Sequence, residues 1–252
     1  MASWQVLAFL AAAGIATATQ NITGFAMVLV LLGLTGLFDL VPLREAANAA
    51  TVLSLVNAAV ALRGHKHAVD WPLVRSTTIG TVAGVACGVA LLAWLSENAV
   101  LVLRLLLGVV VIACAAIVLL RVEPLPRRSP PRAFLVTGVL SGVLGGLFSA
   151  SGPPLVYQFY RQPLKLDAVR DSLLALLAIT SLLRLVMVVP AGQFTREALV
   201  LSVLAAPVVV AVAWWMRRHP LAWNRTVVLR IVCALLVLTG IGLIAPALQG
   251  LF

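Results

Sequence analysis

The chain has 252 residues, 62% of them hydrophobic and only 10% charged, with a formal net charge of +10. Soluble domains carry roughly a quarter charged residues, so this composition excludes a soluble enzyme or binding module and marks a polytopic membrane protein. The basic residues sit in short connections between apolar runs, which excludes a DNA-binding domain and points to membrane orientation and anionic lipid headgroups.

In chain order, apolar segments are predicted at 3–38, 43–62, 73–94, 99–120, 133–160, 168–189, 197–216 and 226–247. The first has the apolar core of a signal peptide but lacks its basic start, since no Lys or Arg precedes Arg44. As one helix it would run about 54 Å, against a hydrocarbon core of about 30 Å, so it must fold back or be split. Polar, helix-breaking residues interrupt it at Gln20-Asn21-Ile22-Thr23-Gly24, and a second interruption, Ser149-Ala150-Ser151-Gly152-Pro153-Pro154, divides segment 133–160. Unwound backbone survives in lipid only where protein or a water-filled cavity satisfies it, so two matched breaks predict a binding site. A linker at 122–132, rich in proline and arginine, separates a first repeat, 1–121, from a second, 133–252. Each half holds one broken segment and three unbroken ones. Short matches support an internal repeat: Val102-Leu103-Arg104-Leu105 with Val228-Leu229-Arg230-Ile231, and Thr23-Gly24 with Ser151-Gly152.

Lys and Arg collect in cytoplasmic loops, and this rule selects among topologies. With every broken segment crossing once, basic residues divide almost evenly between the two sides. With each broken segment folded into a hairpin and the N-terminus outside, 13 of the 18 basic residues fall inside and only Arg44 and Arg196 outside. The expected architecture is therefore an all-α polytopic membrane protein of two inverted repeats, each a broken or re-entrant helical hairpin followed by three transmembrane helices. The linker is cytoplasmic and both termini are extracytoplasmic. Gly80, Gly84 and Gly88, like Gly138, Gly142 and Gly146, recur every four residues, a spacing that lets helices pack closely in lipid.

Hairpins entering from opposite faces bring their tips together, and their returning arms, expected to start near Phe25 and Pro154, present helix N-termini that favour an anion. The candidate substrate contacts are Thr19, Gln20, Asn21, Thr23 and Gly24 on one tip, and Ser149, Ser151, Gly152 and Pro153 on the other. Asn48, with Thr51 and Ser54 at three-residue spacing, lines the same cavity, and Arg184 is the candidate anion-attracting or gating charge, with snorkelling to the interface as its alternative. The bland reading of both tips is that their polar groups satisfy each other. Cys87, Cys114 and Cys233 are expected to be packing residues, and His65 and His67 belong to a basic loop. Every Asp and Glu lies at or near a loop, so proton coupling has no evident carrier unless Glu45 or Asp171 is drawn inward. With no histidine beside Ser149 or Ser151 and no pair of embedded aspartates, the chain is not expected to be an enzyme, and no metal or cofactor is expected.

The stretch Gln20-Asn21-Ile22-Thr23-Gly24-Phe25-Ala26 resembles the Q-x-x-T-G-F-G element of the sulfite exporter TauE/SafE family. The run from Gly145-Gly146 to Gly152-Pro153-Pro154 resembles that family's G-G-x-x-x-x-x-G-P-P segment. The resemblance extends over essentially the whole chain, departing at Ala26, where the family often has Gly, and at Leu32-Gly33-Leu34, where a proline commonly follows. It implies a bacterial inner-membrane carrier of small sulfur anions such as sulfite, sulfonates or sulfoacetate, with the two breaks contacting the substrate. The alternatives are a carrier of another small organic anion, a non-transporting membrane partner subunit and, more weakly, a cation carrier.

Overall fold

Backbone amides inside a bilayer must be satisfied within their own segment, and every regular element among the described residues is an α-helix. The computed structural model describes residues 3–63, 69–98 and 125–218, with isolated positions between 102 and 116 and at 237. The helices are α1 (Ser3–Thr23), α2 (Met27–Leu37), α3 (Leu43–Ala61), α4 (Trp71–Asn98), α5 (Pro131–Phe148), α6 (Gly152–Tyr160), α7 (Leu166–Val188) and α8 (Arg196–Arg218). Among the described residues, α1, α4, α5, α7 and α8 are long and apolar enough to cross a membrane. The chain is an all-α, multi-pass membrane protein. Apart from those isolated positions, the apolar segments 99–120 and 226–247 lie outside the described residues, as do Cys114, Cys233, the three histidines, Arg104, Arg230 and the extreme termini.

Both breaks are narrower than the sequence suggests. Gln20, Asn21 and Thr23 are still helical, and the first interruption is residues 24–26; the second is 149–151, with Gly152, Pro153 and Pro154 already opening α6. The cause is local. Thr19 and Thr23 turn their hydroxyls onto the carbonyls of Ile15 and Thr19, and Asn21 Nδ2 donates to Thr17 O at 2.9 Å, so these polar side chains extend α1 rather than unwind it. Gly24 then ends the helix at φ 89°, a conformation glycine enters without strain.

Each short helix packs back against the long one before it: α2 (11 residues) on α1 (21 residues), and α6 (9) on α5 (18). The outgoing arms thus have nearly spanning length and the returning arms about half of it. The second folded segment begins and ends at the same place, because Ser129 N–H donates to Gln162 Oε1 (2.9 Å) and Leu125 N–H to Arg161 O (2.7 Å). Arg128 pairs with Asp70 at 3.0 Å, and Asp70 N–H donates to Ser172 Oγ, which ties the start of α4 to the same end.

The two glycine rows meet each other. A Cβ added at Gly80, Gly84, Gly88, Gly138, Gly142 or Gly146 would fall within 2.6 Å of a carbonyl oxygen on the facing helix, so α4 and α5 are in backbone contact over three turns. Cys87, expected as a packing residue, is instead exposed on α4, beside this seam in sequence but outside it.

Candidate functional site

Helix α3 carries a row of polar residues that is enclosed by other helices. Along α3, Asn48, Thr51, Ser54 and Asn57 are all at most 2% exposed, and α2, α7 and α8 pack around them. The end of α1, just before the first break, and the second break itself both attach to this helix. Asn21, at the end of α1, donates from Nδ2 to Asn57 Oδ1 at 3.0 Å, whereas Ser149, in the second break, lies with its Oγ 3.0 Å from Thr51 Oγ1. Six residues separate Thr51 from Asn57, about 9 Å along the helix axis. Apolar contact closes that gap, since a Cβ on Gly152 would sit 3.2 Å from the Phe25 ring.

Arg184 on α7 is the only large cation among the fully buried side chains described, at 1% exposure, and it does not snorkel. Its Nε donates to Gly146 O (2.9 Å) and its Nη1 to Asn48 Oδ1 (3.0 Å) and Thr51 Oγ1 (2.6 Å), with Ala47 O at 3.4 Å. Nη2 has no partner. None of these acceptors carries a full negative charge. Burying a guanidinium costs several kcal/mol unless it is paired, and dipoles alone return only part of that. The group is therefore a positive charge with one donor left over, held in place by carbonyls and a hydroxyl.

The glycine seam builds this pocket. Gly146 shows its carbonyl to Arg184 while its Cα lies against α4, and a Cβ on Gly145 would collide with Thr180, one turn before Arg184. Ser149 caps α5 at φ 58°, a left-handed conformation that costs a non-glycine residue about 1–2 kcal/mol. Ser141 Oγ donates to Ser151 O, which satisfies one carbonyl of the break. Neither α2 nor α6 has a side-chain cap, but Pro153 and Pro154 remove two N–H groups from the first turn of α6, so this helix start offers fewer donors than its position suggests.

Of the residues picked out in the sequence, the structure therefore gathers Asn48, Ser149 and Arg184, with Thr51 at their centre. Thr19 and Thr23 are spent on their own helix, and Gln20 is 1% exposed with neither amide atom partnered. On one side, Asn48 Nδ2 donates to Gln193 O (2.8 Å) and Thr195 Oγ1 to Glu45 Oε2. On the other, Arg170 Nη2 donates to Asn21 O (2.5 Å) and Tyr160 OH to Thr23 O (3.5 Å). Glu45 and Asp171 are buried, at 8% and 7% exposure. A groove of about 770 Å³ along Val203, Pro207, Val210 and Trp214 of α8 shares no residue with this cluster.

A bundle of membrane-crossing helices, with two folded-back segments packed near a polar helix and a buried cation, suits a small-solute membrane carrier. The sulfite exporter TauE/SafE family model matches residues 8–243, and the chain belongs to that family. It is accordingly a transport protein and not an enzyme. A curated relative from Cupriavidus necator, described as a probable sulfite/organosulfonate exporter TauE, is 35% identical over 236 residues, which cover 94% of this chain and 92% of that protein. No solved structure matches the chain.

Proposed function

We propose that the protein is a secondary carrier that exports sulfite or an organosulfonate across a bacterial inner membrane, holding the anion against Arg184, Thr51, Asn48 and Ser149. The observation that carries this reading is the buried guanidinium of Arg184, which among the described residues has no acidic hydrogen-bond partner and whose Nη2 is unpartnered. A sulfonate or sulfite oxygen would supply both the missing acceptor and the missing charge, and guanidinium is suited to planar, two-point recognition of oxyanions. The description of the Cupriavidus relative supports sulfur as the central atom and export as the direction. The break residues Gln20, Asn21, Gly24, Ser151, Gly152 and Pro153 shape the path to this point, and the two inverted halves rock about it. Residues 125–132, 161–170 and 217–218 face the cytoplasm in this reading, and both termini are extracytoplasmic.

The test is sulfite flux in proteoliposomes, beside sulfite binding to purified protein. A charge-assisted hydrogen bond contributes about 1.5–3 kcal/mol, so Arg184→Gln is expected to weaken binding by about 10- to 150-fold, and Arg184→Lys by less. Wild-type protein that moves no sulfur oxyanion, or an Arg184→Gln protein that folds and binds sulfite normally, would overturn the proposal.

A further inference from the structure

Among the described residues, three more buried donors are unmatched besides that of Arg184: Gln158 Nε2 on α6, and those of Asn57 and Gln20. Asn57 is 0% exposed; its Oδ1 accepts from Asn21, but its Nδ2 has no partner. Gln20 is 1% exposed, and both its Nε2 and its Oε1 are unpartnered. Leaving such groups unsatisfied costs about 1–3 kcal/mol each, and folded proteins leave few of them. Asn57 and Gln20 both belong to the region where α1 ends, and there Arg170 places a permanent positive charge on the carbonyl of Asn21. The region lies about 9 Å along α3 from Thr51, too far for one small oxyanion to touch both Arg184 and Asn57.

We infer that Asn57 and Gln20 form a second station for the oxyanion, distinct from the Arg184 pocket and occupied on the way to or from the end of the molecule marked by Arg170. The inference rests on the carrier reading above. Neutral amide donors bind an oxyanion more weakly than a guanidinium does, which suits a station that must release its ligand. The Phe25 ring on Gly152 stands between the two break segments, at the level where the path passes from one station to the next.

Asn57→Asp tests this cleanly. It keeps Oδ1, the acceptor that holds Asn21, and replaces the unpartnered Nδ2 donor by a carboxylate oxygen whose charge repels an oxyanion. Sulfite flux into vesicles is expected to fall at least tenfold, while sulfite binding to purified protein weakens less than in Arg184→Gln, because Arg184 is untouched and the new charge acts on its pocket only from a distance. Arg184→Gln is expected to lose binding itself, so failure of the carrier reading and failure of the second station give different patterns. Gln20→Leu, which keeps the apolar packing of its helix, is expected to reproduce the flux defect. Wild-type flux in both Asn57→Asp and Gln20→Leu would overturn the second station, and so would loss of binding in Asn57→Asp as large as in Arg184→Gln, which would mean one shared site. Recovery of Asn57→Asp as a single folded species by size exclusion separates a lost station from a lost fold.

Discussion

At the residue scale, the proposed site places a functional demand on Ser149. Its φ of 58° is a position that glycine occupies freely, yet the sequence keeps a hydroxyl there, and that hydroxyl reaches Thr51. Two substitutions separate the conformational cost from the hydrogen bond. Ser149→Ala keeps the strain and loses the bond, whereas Ser149→Gly loses the bond and relieves the strain. Ser149→Gly is expected to be about 1 kcal/mol more stable than Ser149→Ala, read as a higher melting temperature in detergent, while both transport sulfite poorly. An alanine variant as stable as the glycine variant would show that the backbone is not held left-handed at this position. Glycine at 24, also at positive φ, carries no side chain for the site to use, so the two breaks are conformationally related but chemically unequal.

At the scale of elements, the decisive contact is the seam between α4 and α5. Glycine inside a helix normally costs about 1 kcal/mol relative to alanine, so replacing Gly142 by alanine would stabilise an isolated helix. Here the added methyl would lie 2.5 Å from Thr81 O, and the whole helix pair would have to separate. Gly142→Ala is therefore expected to lower the melting temperature, and Gly142→Leu to abolish recovery of folded protein by size exclusion; a rise in melting temperature for the alanine variant would exclude the seam as a packing element. Four-residue glycine spacing made this contact legible in the sequence, as apolar run length did the helices and proline with glycine the two breaks. What the sequence hid was pairing across the fold. Asn48 and Arg184 are 136 residues apart and Thr51 and Ser149 are 98 apart, so no local pattern joins them. The sequence also overstated the length of the breaks, because threonine and asparagine side chains can hydrogen-bond their own helix as readily as they can interrupt it.

At the scale of the whole molecule, the proposed sidedness is supported by where charges and tryptophans are brought together. Trp71 and Trp94, both exposed on α4, are separated by about 34 Å of helix, close to the hydrocarbon thickness plus its interfaces. Near one of these levels the fold collects basic groups that are distant in the chain: Arg128 at Asp70, Arg161 and Arg170 beside the second folded segment and α7, and Arg217 reaching Val60 O at 3.4 Å. Arg218 stacks over Trp214 at 4.0 Å, an aromatic and basic pair suited to the headgroup layer. Contacts of Gln193 with Asn48 and Thr195 with Glu45 define the opposite end. A carrier with both broken segments crossing once would put Arg161 and Arg217 on the far side from Arg128, a separation these hydrogen bonds do not permit. Single cysteines introduced at Arg128, Arg161 and Arg217 in an otherwise cysteine-free protein are thus expected to react with an impermeant thiol reagent only from the cytoplasmic side, and one at Gly192 only from the outside. Opposite labelling of Arg128 and Arg161 would break the folded-back topology, whereas inversion of all four together would leave the fold intact and reverse its orientation in the membrane.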